Sequence, residues 1–326
     1  MMQISQIIDN AKSIAISGHL RPDGDCIGSC MAVYNYLKDV YGDTLNVKVY
    51  FEVIPEQFAF INRMKEAILW KDAVAGDIPA VDLFIILDSS DSDRLGILEP
   101  MFRKAKRTFC IDHHISNTDY ADDSVVLADA SSASEIVYQL LDESKISLAC
   151  AEAIYLGIVH DSGAFKYSNT SEKTMQIAGK LLTKGVEGSR IIDETFYEKT
   201  YIQNQILGRA LLESVLFMDK KCIFSVIKRS QMDFYGVTGV DLGGIVEQLR
   251  LTAGVECAVF LYEIADMEYK ISMRSKRVVD VSKIATYFGG GGHVRAAGFQ
   301  MKGTVHDVLN NISKHIEEQL YPKEEA

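Results

Sequence analysis

What most constrains this chain is a recurring pairing, in which an apolar, β-branched run breaks off in an acidic turn. Val81-Asp-Leu-Phe-Ile-Ile-Leu-Asp88 is the plainest case, nearly all apolar and followed by Ser89-Ser-Asp-Ser-Asp-Arg94. Strands buried on both faces read this way, and such strands belong to parallel sheets. Arg107 to Ile111 is a second run and ends in Asp112-His113-His114. Lys12 to Ser17 is another, leading into Gly18-His-Leu-Arg-Pro-Asp-Gly-Asp25. Asn46 to Phe51 reads as one more strand. Helical spacing of apolar residues over about 26–41, 132–142, 148–160, 171–184 and 187–197 separates or follows these strands. That alternation predicts an α/β fold with a doubly wound parallel sheet.

A hydrophobic core has no use for the groups at these strand ends. Side chains just past the carboxyl end of a strand in an open α/β sheet face the crevice where ligands bind. His19, Asp23 and Asp25 lie in the turn after the first strand, where Asp25 could also serve as a helix cap. Asp161 sits at a helix end beside Gly163, where an ordinary helix-ending turn is the competing explanation. His160 is given a packing or supporting role. Together His19, Asp23, Asp25, Asp88, His113 and Asp161 supply two imidazoles and four carboxylates. This N/O set favours Mn²⁺ over Ca²⁺ or thiolate-bound zinc, with Mg²⁺ or Co²⁺ as substitutes. In a two-metal site one carboxylate bridges ions held ~3.5–4 Å apart. Asp88, ending a central strand, is the candidate bridge. The chemistry of such a site is hydrolysis of a phosphoester or phosphoanhydride.

Charge narrows the substrate. Residues 1–205 hold 19 Lys+Arg against 30 Asp+Glu, whereas residues from 206 onward hold 15 of each. The acidic half repels a long polyanion, so long duplex nucleic acid is not an expected partner. No apolar run approaches the ~20 residues that span a bilayer, and no membrane partner is expected. The opening Met1-Met-Gln-Ile-Ser-Gln-Ile-Ile-Asp9 lacks the basic and apolar regions of a secretory leader. Cysteines 26, 30, 110, 150, 222 and 257 sit in apolar surroundings, as reduced thiols in a cytoplasm would. Cys26 and Cys30 are read as buried rather than as a zinc or redox pair. The oligomeric state is left open between monomer and homodimer.

In the second half, a polar helix over Thr200 to Glu213 is read as a connector. Residues 1–195 form the first domain, 196–213 the connector and 214–326 a smaller α/β domain. Strands are predicted at 214–218, 222–227, 256–264 and 267–274. Met273-Arg-Ser-Lys-Arg277 ends the last of these. A short helix at Val281 to Phe288 leads into Gly289-Gly-Gly-Gly-His-Val-Arg-Ala-Ala-Gly298. Consecutive glycines let backbone N–H groups approach an anion, and His293 and Arg295 add donors. A final helix, Val305 to Leu320, and a charged tail follow.

Asp112-His113-His114, with His19-x3-Asp23-x-Asp25, Asp88 and Asp161-Ser-Gly163, resembles the DHH phosphoesterase superfamily. Gly289-Gly-Gly-Gly-His293-x2-Ala-Ala-Gly298 resembles the DHH-associated C-terminal domain. The motifs in this order, at this length, look like the NrnA-type nanoRNases, also called oligoribonuclease/pAp phosphatases. The resemblance covers nearly the whole chain. Cys26 and Ser162 stand where the family often has alanine and threonine.

The resemblance implies two Mn²⁺ and an active site in the interdomain cleft. His19, Asp23 and Asp88 would hold one ion, and Asp25, Asp88, His113 and Asp161 the other. His114 would contact the scissile phosphate, and Asp112 would orient the histidines. Arg274, Ser275, Gly289, Gly290, Gly291, Gly292 and His293, with Arg295 beside them, would bind the nucleotide. The implied substrates are very short RNA and 3′-phosphoadenosine 5′-phosphate (pAp). A phosphodiesterase for cyclic dinucleotides or their linear products is the alternative. A nucleotide sensor without turnover is a third reading, which a missing ligand would favour; none is missing.

Overall fold

The computed structural model of the protein describes residues 2–70 and 80–322, so the charged tail past Pro322 lies outside the described residues. The chain divides into two compact units, 1–198 and 199–326.

The first unit is built on six parallel strands: β1 (Ser13–Ser17), β2 (Asn46–Phe51), β3 (Ile68–Leu69), β4 (Leu83–Leu87), β5 (Thr108–Asp112) and β6 (Asp123–Val126). They lie in the order β3-β2-β1-β4-β5-β6. The chain winds outward from β1 in one direction and from β4 in the other, so the order reverses between β1 and β4. Ligands of open α/β sheets bind at the carboxyl end of that switch point. Alternation along β4 shows why the sequence is continuously apolar. Leu83, Ile85 and Leu87 enter one core layer while Phe84 and Ile86 enter the other. Each fully buried side chain of this size stabilises by about 1.5–3 kcal/mol.

Helices α1 (Ile4–Ile7), α2 (Gly24–Tyr41), α3 (Glu99–Lys104), α4 (Ala133–Leu140), α5 (Leu148–Asp161), α6 (Glu172–Thr183) and α7 (Gly188–Ile192) complete the unit. The helix expected at 187–197 is therefore shorter: its last turn, Asp193–Tyr197, widens to a π-turn. Helix α2 is buried continuously from Gly24 to Leu37. It packs closely on α5, where a Cβ at Gly157 would fall 1.9 Å from Ser134 Oγ and 2.5 Å from Asp25 Oδ1. Only glycine at 157 leaves space for the Asp25 carboxylate.

The second unit opens with α8 (Tyr201–Leu212). The helix expected as a connector is part of this unit's core, because Ile206 and Ala210 bury against Ile223, Ile227 and Phe260. Strands β7 (Val215–Phe217), β8 (Cys222–Ile227), β9 (Cys257–Ala265), β10 (Glu268–Ser275), β11 (Gly291–His293) and β12 (Ala296–Lys302) form a mixed sheet in the order β11-β12-β10-β9-β8-β7. Among the described residues of this sheet, only β8 and β9 pair in parallel. Helices α9 (Arg229–Tyr235) and α10 (Ile245–Arg250) join α8 on one face, and α11 (Val281–Tyr287) and α12 (Val305–Leu320) cover the other. The glycine run is not a free loop: Gly291 to His293 pairs with β12. A Cβ at Gly292, whose φ is +144°, would lie 2.5 Å from Ala296 O, so close strand approach requires glycine there.

Candidate active site

The turns after β1, β4 and β5, with the end of α5, bring the acids and histidines of the first unit together at the switch point. His19 Nδ1 lies 2.6 Å from Leu20 O, which leaves Nε2 facing Asp88 Oδ2 at 3.4 Å and Asp23 Oδ1 at 3.8 Å. Asp23, not Asp25, caps α2: its Oδ1 accepts from the Asp25 and Cys26 N–H groups, both at 3.1 Å. Asp25 is held from elsewhere. Its two oxygens accept from Ala133 N at 2.6 Å and Ser134 N at 3.0 Å, at the start of α4. Asp88 reaches three imidazoles, with Oδ1 at 3.5 Å from His113 Nε2 and 3.7 Å from His114 Nδ1. His113 Nε2 also meets Asp161 Oδ2 at 3.0 Å. His114 Nδ1 lies 2.7 Å from Asp112 Oδ1, while Asp112 Oδ2 accepts from Asn117 Nδ2 at 2.7 Å. Asn117 was not singled out in the sequence, where nothing but nearness to the histidines marks it.

Three groups have ligand atoms all within 4.8 Å of one another: His19–Asp23–Asp88, Asp88–His113–His114 and Asp25–His113–Asp161. Their electrostatics are those of a cation site. Among the described residues, no Lys or Arg pairs with Asp23, Asp25, Asp88, Asp112 or Asp161; imidazoles face all of these but Asp25. Burial, then repulsion from Asp88 and Asp161, pushes the Asp25 carboxyl well up. Burial and the Asp88 charge raise Asp161 as well. Burial works to lower His19, but Asp23 and Asp88 outweigh it and push the imidazole up to about 12. The same contest, won by Asp161 and Asp88, takes His113 to about 11. A divalent ion seated among these donors relieves that crowding. The donor set is oxygen and nitrogen, and all six cysteines are buried and unpaired.

His160 stands beside the site. Its ring fills the space over Gly24, lies edge-on to Phe58 and Phe196, and sits with Nε2 2.9 Å from Thr195 Oγ1. Burial lowers its pKa to about 4. It packs as a neutral ring.

The expected nucleotide-binding residues lie in the second unit and do not all share a face. By register, His293, Ala296 and Arg274 share one row across the sheet, and Gly291, Gly298 and Ser272 the next row on the same face. Ser275 is buried, on the row aligned with Cys257. Arg295 is folded onto the segment after β10, with Nη1 2.9 Å from Val279 O and Nη2 on Arg277 O. Arg274 Nη2 pairs with Glu247 Oε1 at 2.7 Å. Gly289, Gly290, Gly291, Gly292 and His293 are exposed.

Sheet order and site together define a doubly wound α/β domain whose clustered acids and histidines could hold divalent cations, followed by a second α/β domain. Residues 13–158 match the DHH family N-terminal domain, and residues 219–321 match the DHHA1 domain. The chain thus carries a DHH family N-terminal domain followed by a DHHA1 domain. A similar protein is the bifunctional oligoribonuclease and PAP phosphatase NrnA of Bacillus subtilis, 27% identical over 88% of each chain. Another, of the same description, is from Thermus thermophilus, 28% identical over 94% of this chain and 90% of the relative. Among solved structures, an exopolyphosphatase-related protein from Bacteroides fragilis superposes with a TM-score of 0.87, at 25% identity over 97% of this chain and 94% of that one. No helix among the described residues is long and apolar enough to cross a membrane.

Proposed function

We propose that the chain is a Mn²⁺-dependent phosphoesterase that hydrolyses very short RNA to 5′-mononucleotides and converts pAp to AMP. The observation that carries this reading is Asp88, whose two oxygens face His19 on one side and His113 and His114 on the other. That position suits a carboxylate shared by two ions. In this reading His19, Asp23 and Asp88 hold one ion, and Asp25, Asp88, His113 and Asp161 the other. When bound, the ions supply Lewis acidity at the phosphoryl oxygen and a water that ionises near neutral pH. His114, oriented by Asp112 and Asn117, donates to the scissile phosphate. The α4 N–H groups fix Asp25 in place, and the ions would hold it ionised. His293 and Arg274 handle the nucleotide. Six unpaired thiols suit a cytoplasmic setting. The oligoribonuclease and PAP phosphatase activities of the Bacillus subtilis and Thermus thermophilus relatives support both substrates.

The test is a turnover panel of pAp, a linear dinucleotide and a cyclic dinucleotide, with metal-stripped protein given Mn²⁺, Mg²⁺ or Co²⁺. Mononucleotide release should vanish on chelation and return best with Mn²⁺. Faster turnover of the cyclic dinucleotide would replace this reading with the cyclic phosphodiesterase. Binding without turnover of any substrate would leave a sensor.

A further inference from the structure

The Met273–Arg277 bases and Arg295 suggest an anion-binding cluster, but most are already engaged. Arg295 donates to the Val279 and Arg277 carbonyls, and Lys276 Nζ to Thr252 O at 3.1 Å. Arg274 is neutralised by Glu247. Lys270 differs. It is half-buried on β10 and has no hydrogen-bond or ion-pair partner among the described residues. Alternation along β10 sets Lys270, Ser272 and Arg274 on one face, while Tyr269, Ile271 and Met273 enter the core behind. Gly298, opposite Ser272, leaves that face bare: a Cβ there would lie 3.8 Å from Lys270 Nζ and 2.8 Å from Ile271 O.

Above this face is a cavity of about 310 Å³, formed within the second unit by Lys270, Ser272, Tyr262, Phe260, Glu247 and the glycine-rich turn 239–244. The turn is tied down by Lys199 Nζ, 3.2 Å from Gly243 O. Ligand pockets run from roughly 300 to 1,000 Å³, so this one, at the small end, is on the scale of a single nucleotide. Its contents fit that ligand: aromatic wall, hydroxyl, backbone polar groups and one uncompensated ammonium. Glu247 competes with any anion for Arg274, whereas nothing competes for Lys270.

We propose that this cavity is a nucleotide subsite in which Lys270 takes the phosphate of a nucleoside monophosphate unit and Ser272 and Tyr262 contact the nucleoside. This deepens, and rests on, the phosphoesterase reading above. The experiment titrates metal-stripped full-length protein with AMP, adenosine and inorganic phosphate by calorimetry and NMR. Wild type, Lys270→Ala, Lys270→Arg and the surface control Lys302→Ala are compared. AMP should bind wild type more tightly than adenosine or phosphate. Lys270→Ala should weaken AMP roughly ten- to hundredfold, Lys270→Arg should restore most of it, and Lys302→Ala should change nothing. Equal AMP binding by wild type and Lys270→Ala, or no AMP binding by wild type at millimolar concentration, overturns the subsite. Equal affinity for phosphate and AMP overturns its nucleoside part. Turnover of pAp with Mn²⁺ is measured on the same wild-type preparation. Absence of turnover with Lys270-dependent AMP binding intact removes the phosphoesterase reading and supports the subsite.

Discussion

Asp88 adopts φ +54° directly after the five buried residues of β4. Left-handed backbone costs most residues about 1–2 kcal/mol, and Asp and Asn tolerate it best. The turn stops the strand and swings the carboxylate between His19 and the His113–His114 pair. Asp88→Asn therefore keeps the backbone and removes the charge. Its melting temperature should match that of metal-stripped wild type. It should lose metal in calorimetry and turn over on the order of 10³-fold more slowly, about 4 kcal/mol of transition-state stabilisation. Asp88→Ala should add a stability loss of about 1 kcal/mol from the backbone. An Asp88→Asn protein with two ions bound and wild-type turnover would remove Asp88 from the bridging position. These acids were legible in the sequence because polar residues closing an apolar run stand out. The groups that orient them were not. The N–H donors on Asp25 come from Ala133 and Ser134, more than a hundred residues away, and backbone donors carry no residue signature.

At the scale of elements, β1, β2, β4 and β5 were readable because parallel central strands are apolar on both faces. The short outer strands β3 and β6 are only partly buried: β3 is two residues long and β6 opens on Asp123-Ser124. In the second unit, the pairing of β10 with β12 decides which residues share a face with Arg274, and sequence spacing cannot supply a cross-strand register. That register brings Ala296 beside Arg274 and Gly298 beside Ser272, while Ser275, expected among the nucleotide-binding residues, is buried. One aspartate shows how the parallel register is fixed. Asp82, just before β4, accepts at 3.0 Å from Lys12 N, Ser13 N and Ser13 Oγ, and pairs with Lys106 Nζ at 2.8 Å. Lys106 first, then these N–H groups and the hydroxyl, hold its carboxyl well below the usual range. A depressed acid contributes stability above its unfolded pKa, and that contribution is lost as pH falls through the folded one. Asp82→Asn should thus melt lower than wild type above about pH 4, with the gap closing as the pH falls below that. Thermal melts from pH 2.5 to 7 check it. A constant gap would mean that the charge on Asp82 is not what ties β1 to β4.

Over the whole molecule, charge and cavity size both argue for a short substrate in the proposed reading. The net charge of −11 falls within residues 1–205, and residues from 206 onward are neutral. Proteins that hold long single strands line a groove with cations and stacking aromatics, gaining affinity with each nucleotide added. Here Arg274, Arg295 and Lys276 are bound to a carboxylate or to carbonyls, and Lys270 faces a cavity sized for one nucleotide. In the proposed reading, a phosphate beyond the reacting one and one held nucleotide would find no further free cation cluster and a net-acidic first unit. We therefore expect kcat/KM to be greatest at roughly two to five nucleotides, and to fall for longer chains, most steeply at low salt, where repulsion is least screened. The measurement is a ladder of 5′-labelled RNAs from about two to twenty-four nucleotides, under constant Mn²⁺ and at two ionic strengths. The labelled 5′ mononucleotide should be the first product. If the longest RNA is cleaved as efficiently as the dimer at both salts, the acidic surface does not set the length limit, and a processive exonuclease track must exist along the chain.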